Sequence, residues 1–260
     1  MKINIEEAKE KFIKYTENFN TKDKNVKRKQ QHSIRVMKIA EQIATNLKLN
    51  EEQIQLATLI GLLHDIGRFK QYTDIGLGNN LEGFDHGDYG TKLLFKEGLI
   101  RKFIETNKYD EIIKKSIKNH NKFSIEAGLT QEELLFAKLI RDADKIDILY
   151  ESIYIFYRNN EEEVNKSVLS EKIYSQFLKK TTIKKEKNIR LKFIDDITCV
   201  IAFIYDINYR TSFEIIKEKD YINKILDRYK FQDQSTKTKV EEIRKLANEY
   251  IKEKTTEEKI

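Results

Sequence analysis

Three features of the 260-residue sequence predict an all-α fold, a helical bundle followed by a helical extension. Proline is absent, which removes the strongest helix breaker. Glycine occurs only nine times, so flexible joints are few. Apolar residues recur at spacings of three and four, and no alternation is sustained enough to predict a sheet. The 39% hydrophobic content, rich in Ile, Leu, Phe and Tyr, argues for a true core and against a disordered chain.

The elements follow in order. Residues 5–19 carry Ala8, Phe12, Ile13 and Tyr15 at helical spacing, and the basic, non-periodic run 21–29 reads as a solvated turn. Residues 30–47 keep a stripe of Ile34, Met37, Ile39, Ala40, Ile43, Ala44 and Leu47. Asn50 with Gln53 then offers an N-cap for a helix over 51–65. Glycines cluster between 76 and 83, so 71–84 is expected to be an ordered loop over a site. Further helices are predicted at 88–97, 99–107, 110–119 and 130–156, the last opened by the pair Thr130 and Glu133. Beyond them, 164–179, 189–206, 211–217, 221–229 and 240–251 show the same periodicity, and a charged tail begins at Lys252. The expected division is a helical domain over 1–160 with 161–260 packed on it as an extension.

Charge and cysteine usage narrow the function. A net charge of +6, from 49 basic and 43 acidic residues, is a mild excess, compatible with a small anionic substrate and short of a nucleic-acid-binding stripe. Cys199 is the single cysteine and has no partner for an intramolecular disulfide. With no leader-like segment near the N-terminus, a reducing cytoplasm is the expectation. The apolar stretch 197–207 is too short to span a bilayer and is flanked or interrupted by Asp195, Asp196 and Asp206, so no membrane span is expected.

The chemistry concentrates on four histidines. His32 is expected at the start of a helix. His64 and Asp65 are adjacent in Leu62-Leu63-His64-Asp65-Ile66-Gly67, at the end of an apolar helix where a buried charge needs a partner. His86 lies in Asp85-His86-Gly87-Asp88 at a helix start, and His120 in Asn119-His120-Asn121 at a helix end. Asp144 falls within Asp142-Ala143-Asp144-Lys145-Ile146-Asp147. Neutral imidazole and ionised carboxylate are ligands for divalent first-row metals, and such sites are built in bundles from facing helices. Taken singly, His32 or His86 reads as a polar cap, as do Asp85 and Asp88; Asp147 reads as a residue that orients a ligand or pairs with a lysine.

In order and wording, His32, His64-Asp65 and Asp144 resemble the H…HD…D signature of the HD-domain superfamily of metal-dependent phosphohydrolases. His86 and His120 resemble the two intervening histidines of its binuclear members. The resemblance covers residues 30–150. It implies a helical fold in which His32, His64, Asp65 and Asp144 hold one divalent cation and Asp65 bridges to a second on His86 and His120. The chain departs from the cyclic-di-GMP phosphodiesterases of the superfamily: it lacks the GYP tripeptide, and Asn121 follows His120 where they have a second histidine.

The expected activity is hydrolysis of a phosphoester or phosphoanhydride in a small, nucleotide-like substrate by metal-activated water, with His64 and Asp65 at the reaction centre and Asp65 accepting the proton. Arg68, Lys122, Lys145 and Arg35 are the candidate phosphate contacts. Mixed histidine and carboxylate ligation suits one or two ions of Fe, Mn, Co, Ni or Zn better than Mg alone. Two other readings remain open, a non-catalytic nucleotide-sensing module and a metal-dependent single-strand nuclease. Cys199 is expected in the core, and Tyr150, Tyr154, Phe156 and Tyr157 as helix-packing residues.

Overall fold

The computed structural model describes residues 3–20, 22–74, 85–184 and 191–256. No strand occurs among them. The chain divides into two compact units, Met1–Asp144 and Lys145–Ile260.

In the first unit, α1 (Ile5–Thr16) begins at Asn4, whose side chain accepts from the Glu7 amide. Helix α2 (Lys24–Asn46) begins at Asp23, which accepts from the Asn25 amide. Residues 24–29 are therefore helical, not a solvated turn: the cap starts the helix early, and Val26 is buried. Helix α3 (Glu51–Leu63) opens with the expected capping box of Asn50 and Gln53. Only His64 and Asp65 separate it from α4 (Ile66–Asp74), so residues 71–74 are helix rather than loop, and the glycine-rich stretch 76–83 lies outside the described residues. Helix α5 (His86–Thr91) is capped by Asp85 and runs on as a π-helical turn, Lys92–Lys96.

The helix expected over 99–107 is only the 3-10 turn Leu99–Lys102. Gly98, at φ 73°, breaks the chain before it, and the Arg101 guanidinium gathers the carbonyls of Glu105 and Thr106 and the Asp110 carboxylate into a connection. Helix α6 (Asp110–Asn119) follows. Helix α7 (Gln131–Tyr154) opens with the expected reciprocal bonds between Thr130 and Glu133, and the division between the units falls inside it.

Helices α2 and α3 pair extensively, and Gly61 is what lets them close. A Cβ there would stand 2.9 Å from Met37 Cα and 3.0 Å from the Val36 carbonyl oxygen. The core around this crossing includes Val36, Ala40, Ile43, Leu59, Ile60, Leu62, Leu63 and Ile66, with Phe12 packed edge-on against Phe69 at 5.7 Å. Each large side chain so buried contributes about 1.5–3 kcal/mol.

The second unit contains α8 (Glu161–Lys166), α9 (Glu171–Phe177), α10 (Phe193–Ile201) with a 3-10 extension Ala202–Asp206, α11 (Arg210–Glu218), α12 (Tyr221–Asp227) and α13 (Gln234–Thr256). The helix expected over 164–179 is broken because Ser167 hydrogen-bonds back to the Val164 carbonyl while Ser170 caps α9. The expected tail at Lys252 instead continues α13 through Thr256. Arg228 closes the last turn of α7 by donating to the carbonyls of Ser152, Ile153 and Phe156 at 3.1, 3.0 and 2.6 Å. Cys199 is buried in this unit's core, and no described helix is long and apolar enough to cross a membrane.

Gly61→Ala is expected to destabilise the protein by about 1–3 kcal/mol, because the new methyl meets backbone rather than a movable side chain. Chemical denaturation of the variant measures it; unchanged stability would mean that α2 and α3 can part without cost.

Candidate metal centre

The centre is assembled at helix ends. His64 is the C-cap residue of α3, and its Nδ1 donates to the Gly61 carbonyl at 2.8 Å, which leaves Nε2 as the ring nitrogen facing the centre. His120 is the C-cap residue of α6 and repeats the device, Nδ1 donating to the Ile117 carbonyl at 2.6 Å. Asp65 occupies the joint between α3 and α4. His86 is the first residue of α5, fixed by the Asp85 cap, as the sequence led us to expect of Asp85. His32 lies well inside α2, not at its start, because the helix begins eight residues earlier at Lys24. Asp144 projects from α7.

These side chains converge. His32 Nε2 lies 3.2 Å from His64 Nε2 and 3.1 Å from Asp144 Oδ1, and both imidazoles stand 3.5 Å from Asp65 Oδ2. On the other side of the carboxylate, His86 Nε2 and His120 Nε2 are 3.1 Å apart and lie 3.4 and 3.7 Å from Asp65 Oδ1. Donors bound to one first-row cation at about 2.0–2.2 Å lie roughly 3.0–3.5 Å from each other, and the separations in the two groups, 3.1 to 3.7 Å, are close to that. All six residues that the sequence singled out as ligands are therefore brought together.

The donor set fits divalent cations on a further count. Asp65 is 2% exposed, and its Oδ1 is buried with no hydrogen-bond partner among the described residues. An ionised oxygen in that state is costly unless a positive charge meets it. Oδ2 has one: Lys29 Nζ lies 2.5 Å away. Sequence reasoning passed over Lys29 as part of a solvated run; its spacing of three from His32, which puts both on one helix face, was the available signal.

Burial raises the Asp65 pKa, but Lys29 and His64 outweigh it and hold the carboxyl well below the usual range. Asp144 is treated alike by His32 and His64. Burial also disfavours charge on His64, yet Asp65 and Asp144 push its pKa up to about 10. At His86 burial prevails over the attraction of Asp65, helped by Arg68 and His120, and the imidazole is held neutral.

The four candidate phosphate contacts have different settings. Arg68 stands beside the centre, its Nε 3.8 Å from Asp65 Oδ1 and its Nη1 donating to Gln71 Oε1 at 2.9 Å. Lys122 is clasped by Asp85 and Asp88 at 2.8 and 2.7 Å, one helix end from His86. Lys145 is paired with Asp206 at 2.7 Å within the second unit. Arg35 is half-buried on α2, one turn beyond His32.

Arg141 had no assigned role. It is 2% exposed and donates to the carbonyls of Asn119, Lys122 and Phe123 at 2.8, 2.6 and 3.3 Å. It ties the turn that carries His120 to α7, one turn before Asp144.

A proton on His64 competes with a cation for Nε2, so metal affinity is expected to rise about tenfold per pH unit between pH 6 and 8, with one proton released. Calorimetric titration in buffers of different ionisation enthalpy counts that proton. The metal-free protein should behave oppositely. Because the folded-state pKa of His64 is raised, its contribution to stability is complete below about pH 6.5 and is lost as pH rises toward 10.

Residues 30–149 match the family model described as HD domain. No curated protein and no solved structure gives a significant match. The matched stretch contains all six converging residues, from His32 to Asp144. The chain therefore carries an HD domain over residues 30–149, the domain of the superfamily of metal-dependent phosphohydrolases.

Proposed function

We propose that this protein hydrolyses a phosphoester or phosphoanhydride in a small, nucleotide-like substrate at a two-cation centre. The observation that carries the reading is the division of Asp65: each of its oxygens faces a different histidine pair, Oδ2 with His32 and His64, Oδ1 with His86 and His120. When bound, the cations supply Lewis acidity, making water acidic and neutralising phosphoryl charge. His32, His64, Asp65 and Asp144 would hold one, and Asp65, His86 and His120 the other.

The remaining work falls to the chain's own groups. Asp65 is kept ionised and would accept the proton of the attacking water. Arg68 has a buried Nε with no hydrogen-bond partner among the described residues, a donor suited to a phosphoryl oxygen. Lys122, on the turn after His120, lies near the same rim with its charge already met by Asp85 and Asp88. Phe123 beside it is 58% exposed, an apolar ring at the surface of the same turn.

Phosphate release from a nucleotide panel, assayed with Mn²⁺, Fe²⁺, Co²⁺, Ni²⁺, Zn²⁺ and Mg²⁺ in turn, tests the proposal. Asp65→Asn keeps the shape and removes both the proton acceptor and the shared anionic ligand, so kcat is expected to fall by at least about 10²–10⁴-fold with the helical circular dichroism intact. Undiminished turnover in a folded Asp65→Asn protein would rule the mechanism out.

A further inference from the structure

Building on the two-cation reading, we propose that Asn121, oriented by Asp85, holds His86 in the tautomer protonated on Nε2 and thereby weakens cation binding at the His86–His120 position. Asn121 is on this view a positioning residue that lowers cation affinity there.

The assignment starts from Asp85, whose carboxylate can only accept. Its Oδ1 takes the Asp88 amide at 3.0 Å and the Asn121 side chain at 3.1 Å, so the Asn121 atom facing it is the nitrogen. The same Nδ2 lies 3.2 Å from His86 Nδ1. One amide proton goes to the carboxylate and the other to the ring, so Nδ1 is the acceptor and the single proton of the neutral imidazole is on Nε2. That N–H points at His120 Nε2, 3.1 Å away, which is a lone pair because His120 donates from Nδ1 to the Ile117 carbonyl. Asn121, His86 and His120 thus form a chain of donors and acceptors that is closed without a cation.

His64 and His120 need no tautomer change to offer Nε2, since each is locked by a backbone carbonyl. His86 does. Its proton must move from Nε2 to Nδ1, with none gained or lost, and Nδ1–H then meets the Asn121 N–H, donor against donor. Turning the amide cures that clash but sets Asn121 Oδ1 against the Asp85 carboxylate. The present orientation leaves Oδ1 buried without a partner, the lesser cost beside an acceptor facing a charged acceptor. An ordinary supporting residue strengthens metal binding; this one opposes it.

Long-range ¹H–¹⁵N spectra of the metal-free, ¹⁵N-histidine-labelled protein report each tautomer, with His86→Gln assigning the signal. His86 is expected as Nε2–H and His120 as Nδ1–H; an Nδ1–H signal for His86 overturns the proposal. Asn121→Asp should move the His86 proton to Nδ1 in the same spectrum, and an unmoved proton counts against it. Co²⁺ titration followed by visible absorption then reads the consequence. In Asn121→Ala the equivalent bound at His86–His120 should bind about 10-fold tighter with the other unchanged, whereas a residue that merely supports His86 would weaken it by a similar factor. Weaker binding contradicts the proposal. A single equivalent in wild type and variants overturns the affinity claim and the two-cation reading together, while an Nε2–H signal would still uphold the tautomer assignment.

Discussion

An ionised carboxylate buried at the joint of two helices is the constraint on which the first unit depends. Asp65 is almost wholly removed from water, follows the apolar run Leu56 to Leu63, and precedes Ile66 and Phe69, both fully buried. Such a charge is tolerated only where opposite charge or directed donors surround it. The chain supplies Lys29 and Arg68 as cations and four imidazoles aimed from α2, the end of α3, the start of α5 and the end of α6. Lys29 is the closest positive partner of Asp65; a divalent cation, when bound, would bring more charge to the same carboxylate.

The placement of these groups is a matter of helix termini. The last carbonyls of a helix lack amide partners, and His64 and His120 each meet one three residues back with Nδ1–H, which turns Nε2 toward the centre. Asp85 starts α5 and so fixes where His86 begins. Arg141 binds three carbonyls of the His120 turn and so ties the end of α6 to the Asp144 segment of α7. Gly61 removes the side chain that would hold α3, and hence His64, away from α2 and His32. Stability and site geometry rest here on the same few contacts.

Much of this was legible in the residues. The apolar lead-in to His64 and Asp65 marked a buried charge, and the caps Asn50–Gln53 and Thr130–Glu133 marked helix starts because capping is local chemistry. All six expected ligands converge, since their order and wording carried information that periodicity lacks. What escaped was tertiary. Lys29 looked like one lysine among many until α2 was seen to start at Lys24 and bring it onto the His32 face. Lys145 looked free for phosphate, but its partner Asp206 comes from sixty-one residues away. Asn121 stood out only as the place where a second histidine was missing; its role depends on Asp85, thirty-six residues earlier. The helix expected over 99–107 failed because Arg101 turns its donors onto Glu105 and Thr106, a competition no apolar pattern reveals.

The most direct measurement is anomalous diffraction from crystals grown with Mn²⁺. Two peaks are expected, one coordinated by His32, His64, Asp65 and Asp144, the other by Asp65, His86 and His120, with one oxygen of Asp65 in each. Full occupancy by a single ion that leaves Asp65 Oδ1 uncoordinated, or a peak remote from the carboxylate, would contradict the shared-carboxylate centre.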